Sequence, residues 1–355
     1  MAPFLVTGCA GFIGARVAEL LLQSGCEVVG IDNLNYAYDP RLKHWRLARL
    51  QAMPGFRFRE MDIADRAAVQ ELFQRPPRDA AVSPEARPAV SGGNVLPAPP
   101  CGDDAAPFAA VLNLAARAGV RASVADPETY YRANTLGTLQ LLEACRHAGV
   151  KKFLLASTSS AYGGDNAVPF REDADTSRPL SPYAASKLAA ETLAYTYHRL
   201  HGLDVSVPRY FTVYGPAGRP DMSVFRFVRL VAEGEAIVVY GDGRQQRDFT
   251  YVDDIARGTL AALRPLGYEA INLGGDRPVS LSQLIETIGR LLDCDPKIVR
   301  RPAHPADVPA TWADISKAKR LLDWSPQVPL EEGLRRCVEW YRAERDWARN
   351  VDLGD

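Results

Sequence analysis

The 355-residue sequence lacks the features that mark several classes of protein. It has no apolar run of the roughly 18–20 residues that a membrane-spanning helix needs. Its 42 Lys and Arg residues are balanced by 43 Asp and Glu residues, which leaves no broad basic surface for a nucleic acid or an anionic membrane. Its six cysteines are far apart and form no CxxC pair, which disfavours a zinc site or a disulfide scaffold. We therefore expect a cytoplasmic protein with reduced thiols and with neither a nucleic-acid nor a membrane partner.

The first half of the chain alternates short strand-like runs with amphipathic helical stretches. The predicted strands are Phe4–Thr7, Val28–Asp32, Phe56–Phe58, Ala110–Leu114 and Lys152–Ser157, and helices are predicted at Gly11–Ser24 and Pro127–His147. This alternation predicts βαβ units and a doubly wound, parallel sheet of the α/β class. Because a strand begins within the first few residues, we expect no signal peptide before it.

The length and a change in composition after Tyr210 indicate two domains. We assign 1–208 to a Rossmann-type domain, with 250–278 returning to it through a further strand. Residues 209–249 and 279–355 form a smaller, mixed C-terminal domain that binds the substrate. Residues 75–107 hold eight prolines and no periodicity, which predicts a surface loop or disordered insertion, with a lid or partner-binding segment as the alternative.

A glycine-rich turn joins the first predicted strand to the first predicted helix. Gly8, Gly11 and Gly14 are spaced three residues apart, so the backbone can turn tightly and approach a pyrophosphate at the helix N-terminus. Asp32 ends the second predicted strand, where a carboxylate would bind a ribose diol and repel a 2′-phosphate. A plain turn and a loop carboxylate are the alternatives, but the combined placement predicts a dinucleotide site that prefers NAD over NADP.

A second motif places Tyr183 and Lys187 four residues apart on one face of a predicted helix. A nearby ammonium lowers the pKa of a tyrosine toward the working pH, as a general base requires. The hydroxyl-rich stretch Ser157–Gly163 follows a predicted strand, at the sheet edge where α/β proteins bind ligands. There Thr158 would donate a hydrogen bond to the oxygen whose proton Tyr183 removes. A surface Tyr–Lys pair and turn-forming hydroxyls are the alternatives.

These motifs together resemble the extended short-chain dehydrogenase/reductase family, and within it the NAD-dependent sugar-nucleotide epimerases. The resemblance covers nearly the whole chain except the insertion at 75–107. It implies a tightly held NAD⁺, a UDP-sugar substrate and a homodimer paired through helices near Pro127–His147 and Tyr183–His201. It also implies cofactor contacts from Gly8, Gly11, Phe12, Ile13, Gly14, Asp32, Asn33, Asp62, Ile63, Ala115, Ala116, Asn134, Tyr183 and Lys187.

Finer matches at 209–216 and 218–222 resemble the branch of UDP-glucuronate 4-epimerases. Thr212 stands where UDP-glucose 4-epimerases usually have Asn, and its smaller side chain would leave space and a donor for a C6 carboxylate. Arg247 resembles the arginine of the family that binds the diphosphate, and Asp307 takes the position expected on the uridine ribose. The implied substrate contacts are Ser159, Ser160, Thr212, Arg219, Met222, Arg247 and Asp307.

The resemblance implies C4 epimerisation of UDP-glucuronate to UDP-galacturonate through a 4-keto sugar, with Thr158, Tyr183 and Lys187 as catalytic residues. Ser159 and Ser160 stand where sugar-nucleotide dehydratases and decarboxylases carry acids, which disfavours both of those reactions. A UDP-glucose or UDP-N-acetylglucosamine 4-epimerase, a UDP-glucuronate decarboxylase and a non-enzymatic NAD-sensing scaffold remain alternatives. The histidines at 44, 147, 198 and 201 show no metal-ligand spacing, so we expect no metal.

Overall fold

The computed structural model describes residues 2–74, 106–302 and 308–354. Residues 75–105 of the predicted insertion and the predicted uridine-binding residue Asp307 therefore lie outside the described residues.

A parallel sheet forms the larger part of the fold. Its strands in the described residues are β1 (Phe4–Thr7), β2 (Val28–Asp32), β3 (Phe56–Glu60), β4 (Ala110–Asn113), β5 (Lys152–Leu155), β6 (Ser157–Thr158), β7 (Asp204–Tyr210) and β11 (Tyr268–Leu273). They follow the order β11-β7-β5-β4-β1-β2-β3, and β6 also pairs with β7. The five predicted strands are present, and the α/β class with a doubly wound parallel sheet is confirmed. Because the chain proceeds in opposite directions from β1, a crevice opens between β1 and β4 at their carboxyl ends.

Helices cover both faces of this sheet and bury its strands. Those of the described residues are α1 (Phe12–Gln23), α2 (Pro40–Gln51), α3 (Arg66–Gln74), α4 (Val120–Ala125), α5 (Pro127–Tyr130), α6 (Gly137–Ala148), α7 (Pro182–His201), α8 (Ser223–Ala232), α9 (Val252–Ala261), α10 (Leu281–Leu292), α11 (Ser316–Leu322), α12 (Leu330–Ala343) and α13 (Arg345–Ala348). Along β1, Phe4 and Val6 enter one core and Leu5 enters the other, because successive strand side chains point to opposite faces. The single predicted helix at Pro127–His147 is divided into α5, a π-helical segment at Tyr131–Leu136, and α6.

Two small sheets lie in the C-terminal half. The first has the order β12 (Pro278–Ser280), β10 (Gln246–Tyr251) and β8 (Thr212–Tyr214), with both parallel and antiparallel pairs. The second pairs β9 (Ala236–Tyr240) with β13 (Lys297–Arg301). Helices α8, α10 and α12 pack with these strands around a separate hydrophobic core that includes Val228, Ile288 and Val338. The strand β11 instead pairs with β7 in the large sheet.

None of the helices in the described residues has the length and apolar character that a membrane crossing requires.

Candidate active site

A cavity of about 370 Å³ lies at the carboxyl ends of the strands of the large sheet. Its walls come from the segments that follow β1, β2, β3, β4, β6 and β7 and from the first turns of α7. This is the place where doubly wound sheets bind ligands, because the loops on either side of the switch between β1 and β4 separate there. The predicted site residues that line this one cavity are Gly8, Gly11, Phe12, Ile13, Gly14, Asp32, Asn33, Asp62, Ile63, Ala115, Ala116, Thr158, Ser159, Ser160, Tyr183, Lys187, Thr212, Arg219 and Met222.

The glycine turn allows β1, α1 and the segment after β4 to approach one another closely. Gly8 has a φ of +67°, and a Cβ there would lie 2.8 Å from the Cα of Ala115. A Cβ at Gly14 would lie only 2.1 Å from the carbonyl oxygen of Gly8. Glycine is therefore required at both positions, and the bare backbone at the N-terminus of α1 forms the wall of the cavity. Such a cradle fits the pyrophosphate of a dinucleotide.

Asp32 lies at the adjacent end of β2 and is almost fully buried. Its Oδ2 accepts a hydrogen bond from the Ala10 N–H at 3.2 Å, and its Oδ1 accepts one from the Leu34 N–H at 2.9 Å. The buried ammonium of Lys43 on α2 lies 3.4 Å from Oδ1. Both carboxylate oxygens are thus fixed at the cavity wall. Sequence reasoning missed Lys43, because no motif relates a lysine on the next helix to the end of β2.

Tyr183 and Lys187 lie on the first turns of α7, and Thr158 ends β6. The side chain of Ser181 caps α7 by accepting a hydrogen bond from the Ala184 N–H at 3.2 Å, which sets where the helix begins. The Thr158 side chain lies close enough to the Tyr183 hydroxyl to lower the pKa of that tyrosine. The structure therefore brings the three predicted catalytic residues together at one wall of the cavity.

Burial has a strong effect on the proton affinities of these groups. It raises the pKa of Tyr183, against the hydrogen bond from Thr158 and the positive charge of Arg219, which act in the opposite direction. It also lowers the pKa of Lys187 to about 8, against the field of the Glu191 carboxylate. Burial therefore opposes the predicted lowering of the Tyr183 pKa by Lys187, because removal from water favours the neutral form of both side chains.

Arg219 lines the same cavity and carries a paired charge. Its Nε donates to Asp221 Oδ1 at 3.0 Å and its Nη2 to Asp221 Oδ2 at 2.5 Å. Nη2 also donates to the Ala118 carbonyl at 3.2 Å, and the guanidinium lies 5.6 Å from the centre of the Tyr38 ring. Arg219 thus brings a cation to the cavity that Thr212, Ser159 and Ser160 also line.

Arg46, another residue that the sequence motifs did not reveal, connects the glycine turn to the segment before Arg219. This buried side chain on α2 donates from Nη1 to the Ala10 carbonyl at 3.0 Å, within the glycine turn. Its Nη2 donates to the Ala217 carbonyl at 2.6 Å, two residues before Arg219. The segment that holds Arg219 is consequently attached to the helix beside Asp32.

Two predicted contacts, Asn134 and Arg247, are not among the described residues of the cavity wall. Asn134 is buried, and its side chain binds the backbone of Arg117 in both directions, at 2.8 and 3.0 Å, and the Ser186 hydroxyl at 2.9 Å. Arg247 donates to the carbonyl oxygens of Gln246 and Val308 at 2.8 and 2.9 Å. Asp307 lies outside the described residues. Conversely, Tyr38, Lys43 and Arg117 line the cavity, although none had been predicted to bind there.

Among the described residues, no group of three or more His, Cys, Asp or Glu side chains is arranged to hold a metal ion.

Comparison with known proteins agrees with this geometry. Residues 103–274 match the NAD dependent epimerase/dehydratase family, and residues 5–81 match the GDP-mannose 4,6 dehydratase family. The chain is 50% identical over 354 residues to the UDP-glucuronate 4-epimerase of Thermodesulfobacterium geofontis, covering 99% of this chain and 100% of that one.

Two solved structures are similar over almost their full length. One is the UDP-glucuronic acid 4-epimerase of Bacillus cereus in complex with UDP-glucuronic acid and NAD, with a TM-score of 0.83 and 35% identity over 96% of this chain and 99% of that one. The other is the UDP-glucose 4-epimerase of Thermotoga maritima with UDP-glucose, with a TM-score of 0.82 and 32% identity over 97% of this chain and 99% of that one.

Proposed function

Because this chain belongs to the NAD dependent epimerase/dehydratase family, we propose that it interconverts UDP-glucuronate and UDP-galacturonate by inverting C4 of the sugar. The observation that carries this conclusion is the single cavity that joins a dinucleotide cradle to Thr158, Tyr183 and Lys187. The full-length similarity to a UDP-glucuronate 4-epimerase supports the choice of sugar.

The cofactor is NAD, and the residues of the cradle fit it. Gly8, Gly11, Phe12, Ile13 and Gly14 would receive the pyrophosphate, Asp32 and Asn33 the adenosine ribose, Asp62 and Ile63 the adenine, and Ala115 and Ala116 the segment nearer the sugar. The Asp32 carboxylate disfavours a 2′-phosphate at the ribose, which supports NAD over NADP. NAD supplies the reversible redox chemistry at C4 when it is bound. Asn134 contributes indirectly, by holding the backbone of Arg117 and the Ser186 side chain.

Tyr183 acts as the proton acceptor and donor at O4 of the sugar. It removes the O4 proton as C4 becomes a ketone and returns a proton to O4 when the alcohol forms again, so the cycle consumes none. Thr158 orients O4 through a shared hydrogen bond, and the Lys187 ammonium stabilises the Tyr183 phenolate while it holds the negative charge. Between the two steps the 4-keto sugar rotates about its diphosphate linkage and presents its other face.

The C6 carboxylate needs its own restraint, because a 4-keto uronate is a β-keto acid that loses CO₂ readily. We assign this restraint to the hydroxyls of Thr212, Ser159 and Ser160, and a nearby anion contact to Arg219. Each of these residues lines the cavity. Hydroxyl donors and a guanidinium suit a carboxylate, since charge-assisted hydrogen bonds are the stronger kind. Arg247 and Asp307 are proposed to bind the diphosphate and the uridine ribose.

A neutral UDP-sugar is the second candidate substrate, because the similarity to the UDP-glucose 4-epimerase of Thermotoga maritima is almost as extensive. The test is to incubate the purified protein with UDP-glucuronate and, separately, with UDP-glucose, and to identify the sugar products by NMR. A C4-inverted uronate is the expected result. A pentose with CO₂ would indicate decarboxylation, turnover of UDP-glucose alone a neutral-sugar epimerase, and no change in either sugar a binding protein. NAD released on denaturation would identify the cofactor independently.

We also propose a homodimer, a cytoplasmic location and the two-domain division at 1–208 with 250–278 and at 209–249 with 279–355. The free thiols of the described cysteines support a reducing compartment. The apolar side chains of Tyr131, Leu136 and Leu200 are exposed on the two helical segments that the family pairs in its dimers, which supports the homodimer.

A further inference from the structure

A buried ion pair, which the proposed mechanism does not use, lies behind the catalytic residues. Glu191 on α7 and Arg209 on β7 are both almost fully buried. Arg209 donates from Nε to Glu191 Oε1 at 3.1 Å and from Nη2 to Oε2 at 2.7 Å. Such pairs are costly to desolvate and are weak contributors to net stability, so a buried pair beside a reaction centre calls for another explanation.

The Glu191 carboxylate has a third partner that leads directly to the site. The Ser157 hydroxyl donates to Glu191 Oε1, and Ser157 immediately precedes Thr158 on β6. Strand β6 in turn pairs with β7 through Ser157 and Arg209 and through Thr158 and Tyr210. Glu191 also follows Lys187 by one helical turn on α7. Its carboxylate therefore joins α7, which carries Tyr183 and Lys187, to β6, which ends in Thr158, and to β7.

We propose that Glu191 is a positioning residue whose carboxylate fixes β6 against α7, so that Thr158, Tyr183 and Lys187 act on the same sugar oxygen. This inference rests on the proposed epimerase activity. The side chains of Thr158 on β6 and Tyr183 on α7 interact, and the Ser157–Glu191 hydrogen bond is the adjacent connection between these elements. The carboxylate also opposes the effect of burial on the pKa of Lys187, which keeps that lysine protonated to higher pH.

The surroundings of this cluster are well defined. The Arg209 guanidinium lies 5.0 Å from the centre of the Tyr162 ring, and its Nη1 donates to the Glu172 carbonyl at 3.4 Å. The Tyr268 hydroxyl on β11 donates to the Glu191 backbone carbonyl at 3.2 Å. The charged and titratable groups that surround Lys187 and Glu191 from the packed elements are therefore Tyr183, Arg209, Tyr162, Glu172 and Tyr268.

A second ion pair, at the amino ends of the strands, offers a matched control. The Lys152 ammonium on β5 pairs with the Asp204 carboxylate on β7, and Lys152 is buried like Arg209. Lys152 and Asp204 stand opposite each other where β5 and β7 begin, whereas the cavity lies where the strands end. Breaking this pair should destabilise the fold without moving the catalytic residues.

The experiment compares Glu191→Gln, Ser157→Ala and Asp204→Asn with the parent protein, with activity on UDP-glucuronate and urea unfolding measured for each. We expect Glu191→Gln to lower kcat by about 10- to 100-fold with KM within about threefold, because small displacements of catalytic groups cost this much. The Ser157→Ala variant keeps the Glu191–Arg209 pair and should lower kcat by a smaller factor. The basic limb of the pH profile should move to lower pH in Glu191→Gln, because Lys187 loses the carboxylate charge that raises its pKa. The Asp204→Asn variant should lose stability but keep the kcat and the pH profile of the parent.

The proposal is overturned if folded Glu191→Gln and Ser157→Ala both keep the parent kcat, or if Asp204→Asn lowers kcat as much as they do. If Glu191→Gln does not fold, Ser157→Ala decides alone, because it leaves the ion pair intact. A parent protein that leaves UDP-glucuronate unchanged would instead overturn the proposed function, and the inference with it.

Discussion

Burial sets the chemistry of single residues in this site more than their nearest sequence neighbours do. Tyr183 and Lys187 are both shifted toward their neutral forms, with the pKa of Lys187 at about 8. The groups that act against burial are Thr158 and Arg219 for Tyr183, and Glu191, one helical turn further along α7, for Lys187. A tyrosine and a lysine on one helical turn therefore form a catalytic pair only inside this arrangement of charges.

At the residue scale, Thr212 is predicted to discriminate uronate from neutral sugars. The Thr212→Val variant keeps the shape of the side chain and removes its hydroxyl. We expect kcat/KM for UDP-glucuronate to fall by about tenfold or more, because a hydrogen bond to a charged group contributes about 1.5–3 kcal/mol. Activity on a neutral UDP-sugar, where measurable, should change little.

Thr250→Val is a matched control for this prediction. Thr250 is buried on β10, its hydroxyl oxygen has no hydrogen-bond partner among the described residues, and it is not one of the described residues that line the cavity. Its replacement should leave both activities at the parent level. Equal losses for uronate and neutral sugars in Thr212→Val would contradict the role assigned to Thr212.

At the element scale, the approach of α1 to β1 depends on the absence of side chains. Gly14→Ala would place a methyl group 2.1 Å from the Gly8 carbonyl oxygen and force the helix N-terminus away from the turn. If this displacement costs about 1.4 kcal/mol of binding, NAD affinity falls about tenfold. The amount of NAD released per chain on denaturation measures the effect.

Gly25→Ala tests the same substitution just beyond the other end of α1. Gly25 also has a positive φ, but a Cβ there would meet nothing within 4 Å. The variant should lose about 1–2 kcal/mol of stability from backbone strain and keep its NAD. A Gly14→Ala protein with a full complement of NAD would contradict the importance of the close approach.

Asp248 on β10 joins the small sheet to the segment that follows β11. Its Oδ2 accepts hydrogen bonds from the backbone N–H groups of Ala313 and Asp276, at 2.9 and 3.3 Å. Burial raises the pKa of Asp248 to about 6, against these N–H donors. The folded protein therefore binds this proton more tightly than the unfolded chain does.

This shift predicts how stability depends on pH. As pH rises from about 4 to about 7, the unfolded chain gives up this proton first, so the contribution of Asp248 to stability is present at low pH and is lost through about pH 6. Over this range the free energy of unfolding of Asp248→Asn should increase relative to that of the parent by up to about 3 kcal/mol, at about 1.4 kcal/mol per pKa unit. Urea unfolding at several pH values measures it, with the exposed Asp242→Asn as control. A constant difference between Asp248→Asn and the parent would contradict the prediction.

At the scale of the whole molecule, the elements around the cavity are held together by side chains distant in sequence. Arg46 binds the glycine turn and the segment before Arg219, and Glu191 binds β6 and β7. Because each of these contacts is buried, the elements that they join should move together rather than independently.

The same scale includes the proposed homodimer. Leu136 and Leu200 are exposed apolar residues on the two helical segments expected to pair. The double replacement Leu136→Glu with Leu200→Glu should shift the protein from dimer toward monomer, because it places charge in an apolar interface. Sedimentation velocity measures the change, and Val168→Glu, at an exposed apolar position outside these helices, should remain dimeric. A monomeric parent would refute the homodimer.

Local spacing in the amino-acid sequence is enough to predict the features that repeat within a few residues. Strand and helix periodicity predicts the parallel sheet, glycines three apart identify the cradle, and Tyr183 and Lys187 lie one turn apart on a helix. Which distant residues meet is visible only in the folded chain. The tertiary structure places Lys43 against Asp32, Arg46 against Ala217 and Glu191 against Ser157, and it turns Asn134 away from the cavity wall. These contacts depend on strand order and helix packing, and the pKa values of Tyr183 and Lys187 depend on exclusion of water, neither of which a local pattern records.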